Sequence, residues 1–260
     1  MNVRFVKLKY IAVFLLGLSM GDLALGFSVR QSPSLTGLES EQISRDNERP
    51  APSQPNDTKS ETAAHLNNFN NGSIAERMGR LSHNRYSNRY FGFTIRKPYA
   101  WTALNDEQRL KSLKAGEKII AGNNSALQQQ YRKANADTLN LFAFYRYPLG
   151  TPRLNPSVLS VAENVSKYRT TISEYGYLSN VKRLLSNTKL NARFGSLITT
   201  RQLGGVEFRA LKVYTYINGV NVEQDYYVKI TKGYALSFIA TYTDVVSRLA
   251  TNRILSSIRF

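Results

Sequence analysis

Three carboxylates, Glu207, Glu223 and Asp225, fall in one strand-rich stretch near the C-terminus, and paired carboxylates are what acid–base hydrolysis of a glycosidic bond requires. Arg209, Lys212 and Lys229 are interleaved with them. Facing strands can therefore turn the same residues into cross-strand ion pairs, which is what is expected here. Other catalytic constellations lack their parts. The two histidines, His65 and His83, both precede the first strand-like run, so a Ser/His/Asp arrangement or a histidine metal cluster cannot be built inside the domain. The chain has no cysteine, which excludes a thiol nucleophile, a thiolate metal site, a disulfide framework and a lipid-bearing cysteine. Gly204-Gly205 stands without the Lys-Ser/Thr spacing of a phosphate loop. No catalytic residue, cofactor or metal site is expected, and a hydrolase ranks third among the functional readings.

Binding chemistry has more material. Lys111, Lys114 and Lys118 recur at helical spacing with Arg109 beside them, and these four are the anion-binding candidates, able to track phosphates or acidic sugars. The competing reading is a solvated helix face on which Glu107 and Glu117 pair with the lysines. Tyrosines alternate with basic residues in FYRYP (144–148), KVYTYI (212–217) and DYYVK (225–229), as in surfaces that stack bases or sugars. Strand alternation sends half of them inward. The lone tryptophan, Trp101, stands three residues after Pro98. There it is expected to nail a core at the end of a strand rather than to serve as a ligand platform.

Charge is distributed unevenly. Residues 27–83 carry six basic and seven acidic groups, whereas residues 84–260 carry 26 basic against 10 acidic. A surplus of that size attracts anionic partners and speeds their encounter; the other reading is that it only keeps the protein soluble. At the N-terminus, Arg4, Lys7 and Lys9 precede the apolar run IAVFLLGLSM (11–20) and the small residues Ala24-Leu25-Gly26, which is the pattern of a secretory signal. Residues 1–26 are expected to be removed, so that the mature chain begins near Phe27 with no membrane span. From residue 27 to 83 the chain is rich in Ser, Asn, Pro and Gln, and it reads as a disordered polar linker with one short helical stretch at 74–81.

The elements that must position these residues lie in 84–260. NRYFGFTIRK (88–97) alternates like a half-buried strand and ends at Pro98. Asn105 with Gln108 has the spacing of a capping box that opens a helix over 105–122, and a second helix is expected at 125–136. Strands follow at 138–148 and 157–164. A helix within 168–190, capped at Ser173 or Thr171, carries Tyr177, Leu178, Val181, Leu184 and Leu185 on one face. Four strands, 192–203, 206–217, 220–230 and 234–243, are joined by links containing Gly204-Gly205, Asn218-Gly219 and Lys232-Gly233, the chemistry of tight hairpins. A final helix starts at Asp244 with Val246, Leu249, Ile254, Leu255 and Ile258 as its apolar stripe. Together these give an α+β sandwich with a four-strand antiparallel C-terminal meander and a closing helix.

GFTIRKPYAW (92–101), NPSVLSVAEN (155–164), YLSNVKRLL (177–185), GGVEF (204–208), QDYYVKITKGYALSFIATY (224–242) and ILSSIRF (254–260), in that order, resemble the PsbP-like proteins, an αβα-sandwich group with many exported bacterial members, DcrB-like proteins among them. The resemblance covers roughly 88–260. It implies a central antiparallel sheet flanked by helices, Trp101 as a packing residue, and a non-catalytic accessory or binding role with no shared catalytic residue. The sequence therefore points to an exported protein, periplasmic or secreted, that binds an envelope protein or an anionic surface polymer. A charge-driven nucleic-acid binder is the alternative. No oligomeric state is legible.

Overall fold

The computed structural model describes residues 74–260 except 106, 110, 113, 115–122, 124, 152, 168–170, 187, 189 and 218. Lys118, the leader-like residues 1–26 and most of the linker lie outside the described residues. The folded unit starts ahead of residue 84, with helix α1 (Ile74–Met78) and strand β1 (Arg80–Ser82). Side chains of the next strand hold them in place: the Tyr86 hydroxyl donates to the Met78 carbonyl at 2.5 Å, and the Asn88 amide donates to the Arg77 carbonyl at 2.8 Å. Gly79 makes this approach possible. Its φ is +66°, and a Cβ there would lie 2.6 Å from the Tyr86 hydroxyl.

β1, β2 (Arg85–Asn88) and β3 (Phe93–Arg96) form a three-stranded antiparallel sheet. Of the strand expected over 88–97 only 93–96 is one strand, with Phe93 and Ile95 inward as the alternation requires; Asn88 ends β2, and residues 89–92 form the turn between the two. Past Pro98 the chain turns, the Trp101 amide bonding to the Pro98 carbonyl at 3.0 Å, and enters β4 (Thr102–Ala103) at the edge of the main sheet. Asn105 and Gln108 form the expected reciprocal cap, with bonds of 2.8 and 3.1 Å. Helix α2 (Ser125–Ala136) then leads to β5 (Thr138–Tyr145) and β6 (Ser157–Asn164). Helix α3 (Glu174–Ser186) opens at one of the two expected caps: the Ser173 hydroxyl accepts from the Gly176 amide at 3.2 Å. All five predicted residues, Tyr177, Leu178, Val181, Leu184 and Leu185, are buried.

The main sheet is completed by β7 (Arg193–Phe194), β8 (Thr199–Leu203), β9 (Val206–Ile217), β10 (Val220–Thr231) and β11 (Tyr234–Tyr242). Its order is β4-β5-β6-β11-β10-β9, with β7 and β8 both on the outer edge of β9, and every pairing is antiparallel. The meander is thus present, with one correction. The expected strand 192–203 is two strands separated by an excursion at 195–198. β6 and β11 lie at the centre and are buried on both faces, so their side chains do not alternate in polarity. One face packs on α3, with Leu211, Val213, Val222 and Tyr226 among its contacts. The opposite face holds Phe93, Trp101, Phe142, Phe144 and Phe238 beneath the three-stranded sheet and helix α4 (Val245–Leu255). The result is α+β, built on a large antiparallel sheet.

Helix α4 corrects the predicted stripe. Ile254, Leu255 and Ile258 are buried, but Val246 and Leu249 are exposed, and Ser247 and Thr251 face inward instead. Both hydroxyls can be buried because the helix itself satisfies them. Ser247 bonds within the capping box with Asp244, and Thr251 donates to the Arg248 carbonyl at 2.9 Å. The Asp244 carboxylate accepts from the Ser247 amide at 2.7 Å, and this backbone bond, ahead of the side-chain ones, holds its pKa below the usual carboxylate value. A folded-state pKa that is depressed adds stability above the unfolded value and loses it as pH falls through the folded one. Asp244→Ala is expected to cost about 0.5–2 kcal/mol at neutral pH. The gap to the parent should narrow in thermal melts as acid protonates Asp244.

Candidate functional site

The excursion at 195–198 builds a cleft. β7 pairs with Val213 and Tyr214, the Gly195 amide bonds to the Lys212 carbonyl at 2.9 Å, and β8 resumes opposite Ala210. Ser196, Leu197 and Ile198 therefore oppose a single residue, Leu211, two residues more than a regular ladder holds there. Ile198 packs onto the α3 side of the core, whereas Leu197 is left 72% exposed. Gly195 sits against the Lys212 stem, where a Cβ would meet that of Lys212 at 3.4 Å. Between the Leu197 excursion and α4 the sheet surface is uncovered, leaving an open cleft of about 540 Å³ walled on the far side by Arg248, Leu249 and Asn252.

The floor is made by register. Lys212 on β9 lies directly opposite Asp225 on β10, and Glu223 lies directly opposite Tyr242 on β11. The Lys212 ammonium is 2.7 Å from the Asp225 carboxylate and 3.4 Å from that of Glu223, and it also donates to the Tyr242 hydroxyl. Tyr242 in turn donates to Asp225 at 2.8 Å. Burial first, then the charge of Asp225, raises the Tyr242 pKa far above the ordinary phenol value. Tyr227 is raised by the same two causes in the same order, with Arg201 opposing them. Both phenols therefore remain protonated as hydrogen-bond donors. The floor is closed: each charge has its partner, and Asp225 has both oxygens engaged. At the rim, Arg201 from β8 and Arg248 from α4 are exposed, and neither is in an ion pair among the described residues.

The cross-strand pairing expected of the carboxylates is realised at Lys212. Glu207 stands apart, exposed at the β8–β9 hairpin opposite Gln202, and Arg209 bonds to Thr200 instead. Among the anion candidates, Lys111 and Lys114 are exposed on helical residues. Arg109 turns away from them: its guanidinium donates to the carbonyls of Asn140 and Leu141, both at 3.2 Å, where β5 bulges against β6. Burial lowers its pKa. Lys118 lies outside the described residues, so the four are not seen as one stripe. His83 occupies the β1–β2 turn at φ 53°, its ring against the Ser82 hydroxyl. Of the tyrosines, Tyr145 and Tyr226 are buried while Tyr214 and Tyr216 face outward.

Sequence reasoning did not single out Arg201, Arg248, Leu197 or Tyr242. Arg201, Arg248 and Leu197 lie in no motif and Tyr242 only closes the matched run 224–242; the pairing of β7 and β8 with β9, and the packing of α4 beside β11, bring them together. It also passed over Glu163, a buried carboxylate on β6 that accepts from the Tyr177 hydroxyl at 2.8 Å and ties α3 to the sheet. Its signal was a charge inside the apolar run SVLSVAEN.

No protein-family model and no curated protein matches the chain. Among solved structures it is similar to LpqN of Mycobacterium tuberculosis, described as involved in cell envelope biogenesis, at 13% identity over 64% of this chain and 82% of that one, with a TM-score of 0.38. It is also similar to cyanobacterial PsbP (CyanoP) from Synechocystis, at 11% identity over 67% and 90% of the two chains and a TM-score of 0.37. A protein from Bacteroides thetaiotaomicron is similar at 12% identity over 64% of this chain and 44% of its own, with a TM-score of 0.33. Superpositions of that extent say nothing of ligand or partner.

Proposed function

We propose that the protein is an exported, non-catalytic accessory or binding protein, periplasmic or secreted, whose partner seats in the cleft between the Leu197 excursion and α4. The observation that carries this reading is the contrast between floor and rim. Lys212, Asp225 and Tyr242 satisfy one another, so that among the described residues no unengaged base or nucleophile lines the cleft floor. Arg201 and Arg248 are exposed at the rim beside exposed Leu197 and Leu249, and among the described residues neither is in an ion pair. Exposed guanidiniums beside apolar walls are the groups that anchor partners. Export is supported by the basic, apolar and small-residue pattern of residues 1–26.

The full-length protein, immobilised and exposed to envelope extract at moderate salt, tests the reading. Arg201→Gln combined with Arg248→Gln should weaken retention of the partner about tenfold or more, while the Lys111, Lys114 and Lys118 glutamine triple variant retains it. A partner held equally by parent and rim variant would sink the cleft as the seat. Loss of the partner in the lysine triple variant would move the seat to that helix. The second reading, a charge-recruited anionic-polymer or nucleic-acid binder, is favoured by the surplus of 26 basic over 10 acidic groups in residues 84–260.

A further inference from the structure

We propose that the outer face of the β1–β2–β3 sheet is a second binding surface, separate from the cleft, for a linear phosphate-bearing surface polymer. Tyr86, Asn88, Phe93 and Ile95 point inward, so alternation sends Arg85, Ser87, Thr94 and Arg96 outward. Register then sets them in two rows. Ser82, Arg85 and Arg96 lie side by side across the three strands; next to them run Arg80, Ser87, Thr94 and, through the bridge that closes the sheet, Arg259. Arginines and hydroxyls thus share one polar face.

Arg85 and Arg96 are direct cross-strand partners. Like charges in that position repel at a Cβ separation of about 5 Å. Among the described residues, neither they nor Arg80 and Arg89 form an ion pair. One carboxylate, Glu76, lines the adjoining depression, together with Arg80 and Arg89. The Arg259 guanidinium is tethered to the carbonyls of Ser256 and Ile258, which fixes its place at the end of its row. An anion resolves this repulsion. Guanidinium forks bind phosphate oxygens in bidentate fashion, and flanking hydroxyls donate to the oxygens that remain. A chain of phosphates can engage both rows at once. Surfaces that hold single-stranded nucleic acid add aromatic platforms for the bases; here Tyr86, Phe91 and Phe93 are turned into the core, and Tyr90, which lines the depression, packs edge-on with Phe91 and Tyr234 and has the Lys232 ammonium 5.0 Å from its ring, so the face matches a polymer of phosphates without bases.

Titration of the full-length protein with long-chain inorganic polyphosphate, at several salt concentrations, is the test. Binding should weaken linearly with log salt. Arg85→Gln combined with Arg96→Gln should weaken it at least about tenfold at low salt and lower the slope by about 1–2. The same variant should melt at or above the parent temperature, because the facing repulsion is gone. The Lys111, Lys114 and Lys118 triple variant and the Arg201, Arg248 variant should bind polyphosphate like the parent. Unchanged polyphosphate binding by a folded Arg85, Arg96 variant overturns the proposal. Single-stranded DNA of equal charge binding tenfold more tightly than polyphosphate also overturns it and makes nucleic acid the partner. Either result leaves the cleft reading standing, since that reading is tested by a different pair of arginines.

Discussion

Replacing Trp101 with alanine is expected to remove about 3–5 kcal/mol of stability, the range for truncating a large buried aromatic. Trp101 is 7% exposed and belongs to the core that the three-stranded sheet, the main sheet and α4 share. It sits in the turn where the chain passes from β3 to β4. Its turn is fixed from both ends: the amide bonds to Pro98, and the Lys97 ammonium donates to the Trp101 carbonyl at 2.6 Å. With the backbone held, the space left by the indole stays open, and the upper half of the range applies. Urea titration measures the loss, and Trp101→Phe should recover much of it. A folded Trp101→Ala protein of near-parent stability that had lost a ligand would make the residue a platform instead.

Much of the fold could be read from local pattern, for reasons that particular residues make clear. Tyr177, Leu178, Val181, Leu184 and Leu185 are legible as one helix face because a helix on a sheet buries a stripe of this spacing. The hairpins are legible because Gly204, Gly205, Lys232 and Gly233 take the positive φ angles such turns need. What failed was set by pairing or by local hydrogen bonds. In ARFGSLITTRQL the excursion is marked only by Gly195, an isolated glycine inside a strand-like run, and by the adjacent Leu197 and Ile198 that break the alternation. Helix α4 was assigned by apolarity, yet Ser247 and Thr251 could be buried once their hydroxyls were satisfied inside the helix. The two sites were hidden for the same reason as the excursion. Arg85 and Arg96 are eleven positions apart in the chain and meet only when β2 pairs with β3, and the rim arginines come from β8 and α4.

The floor of the cleft carries the second large expectation. Lys212→Met should cost about 1–3 kcal/mol, less than the 3–5 expected for breaking a fully buried pair, because the lysine side chain is 33% exposed and solvent already screens it. Most of that cost arises in what remains. Asp225, only 16% exposed, would keep its bond from Tyr242 but face Glu223 along the same side of the strand with no cation between them. If this is the origin of the loss, Lys212→Met combined with Asp225→Leu should regain most of it, since removing both charges removes the uncompensated one. Chemical denaturation of the parent, both single variants and the double variant closes the cycle. A double variant no more stable than Lys212→Met would locate the loss in the packing of the lysine stem against Gly195. A Lys212→Met protein as stable as the parent would mean that the ion network does not close the floor. Asp225 would then be free to act on whatever enters the cleft, and the contrast between satisfied floor and open rim, which favours binding over catalysis, would no longer hold.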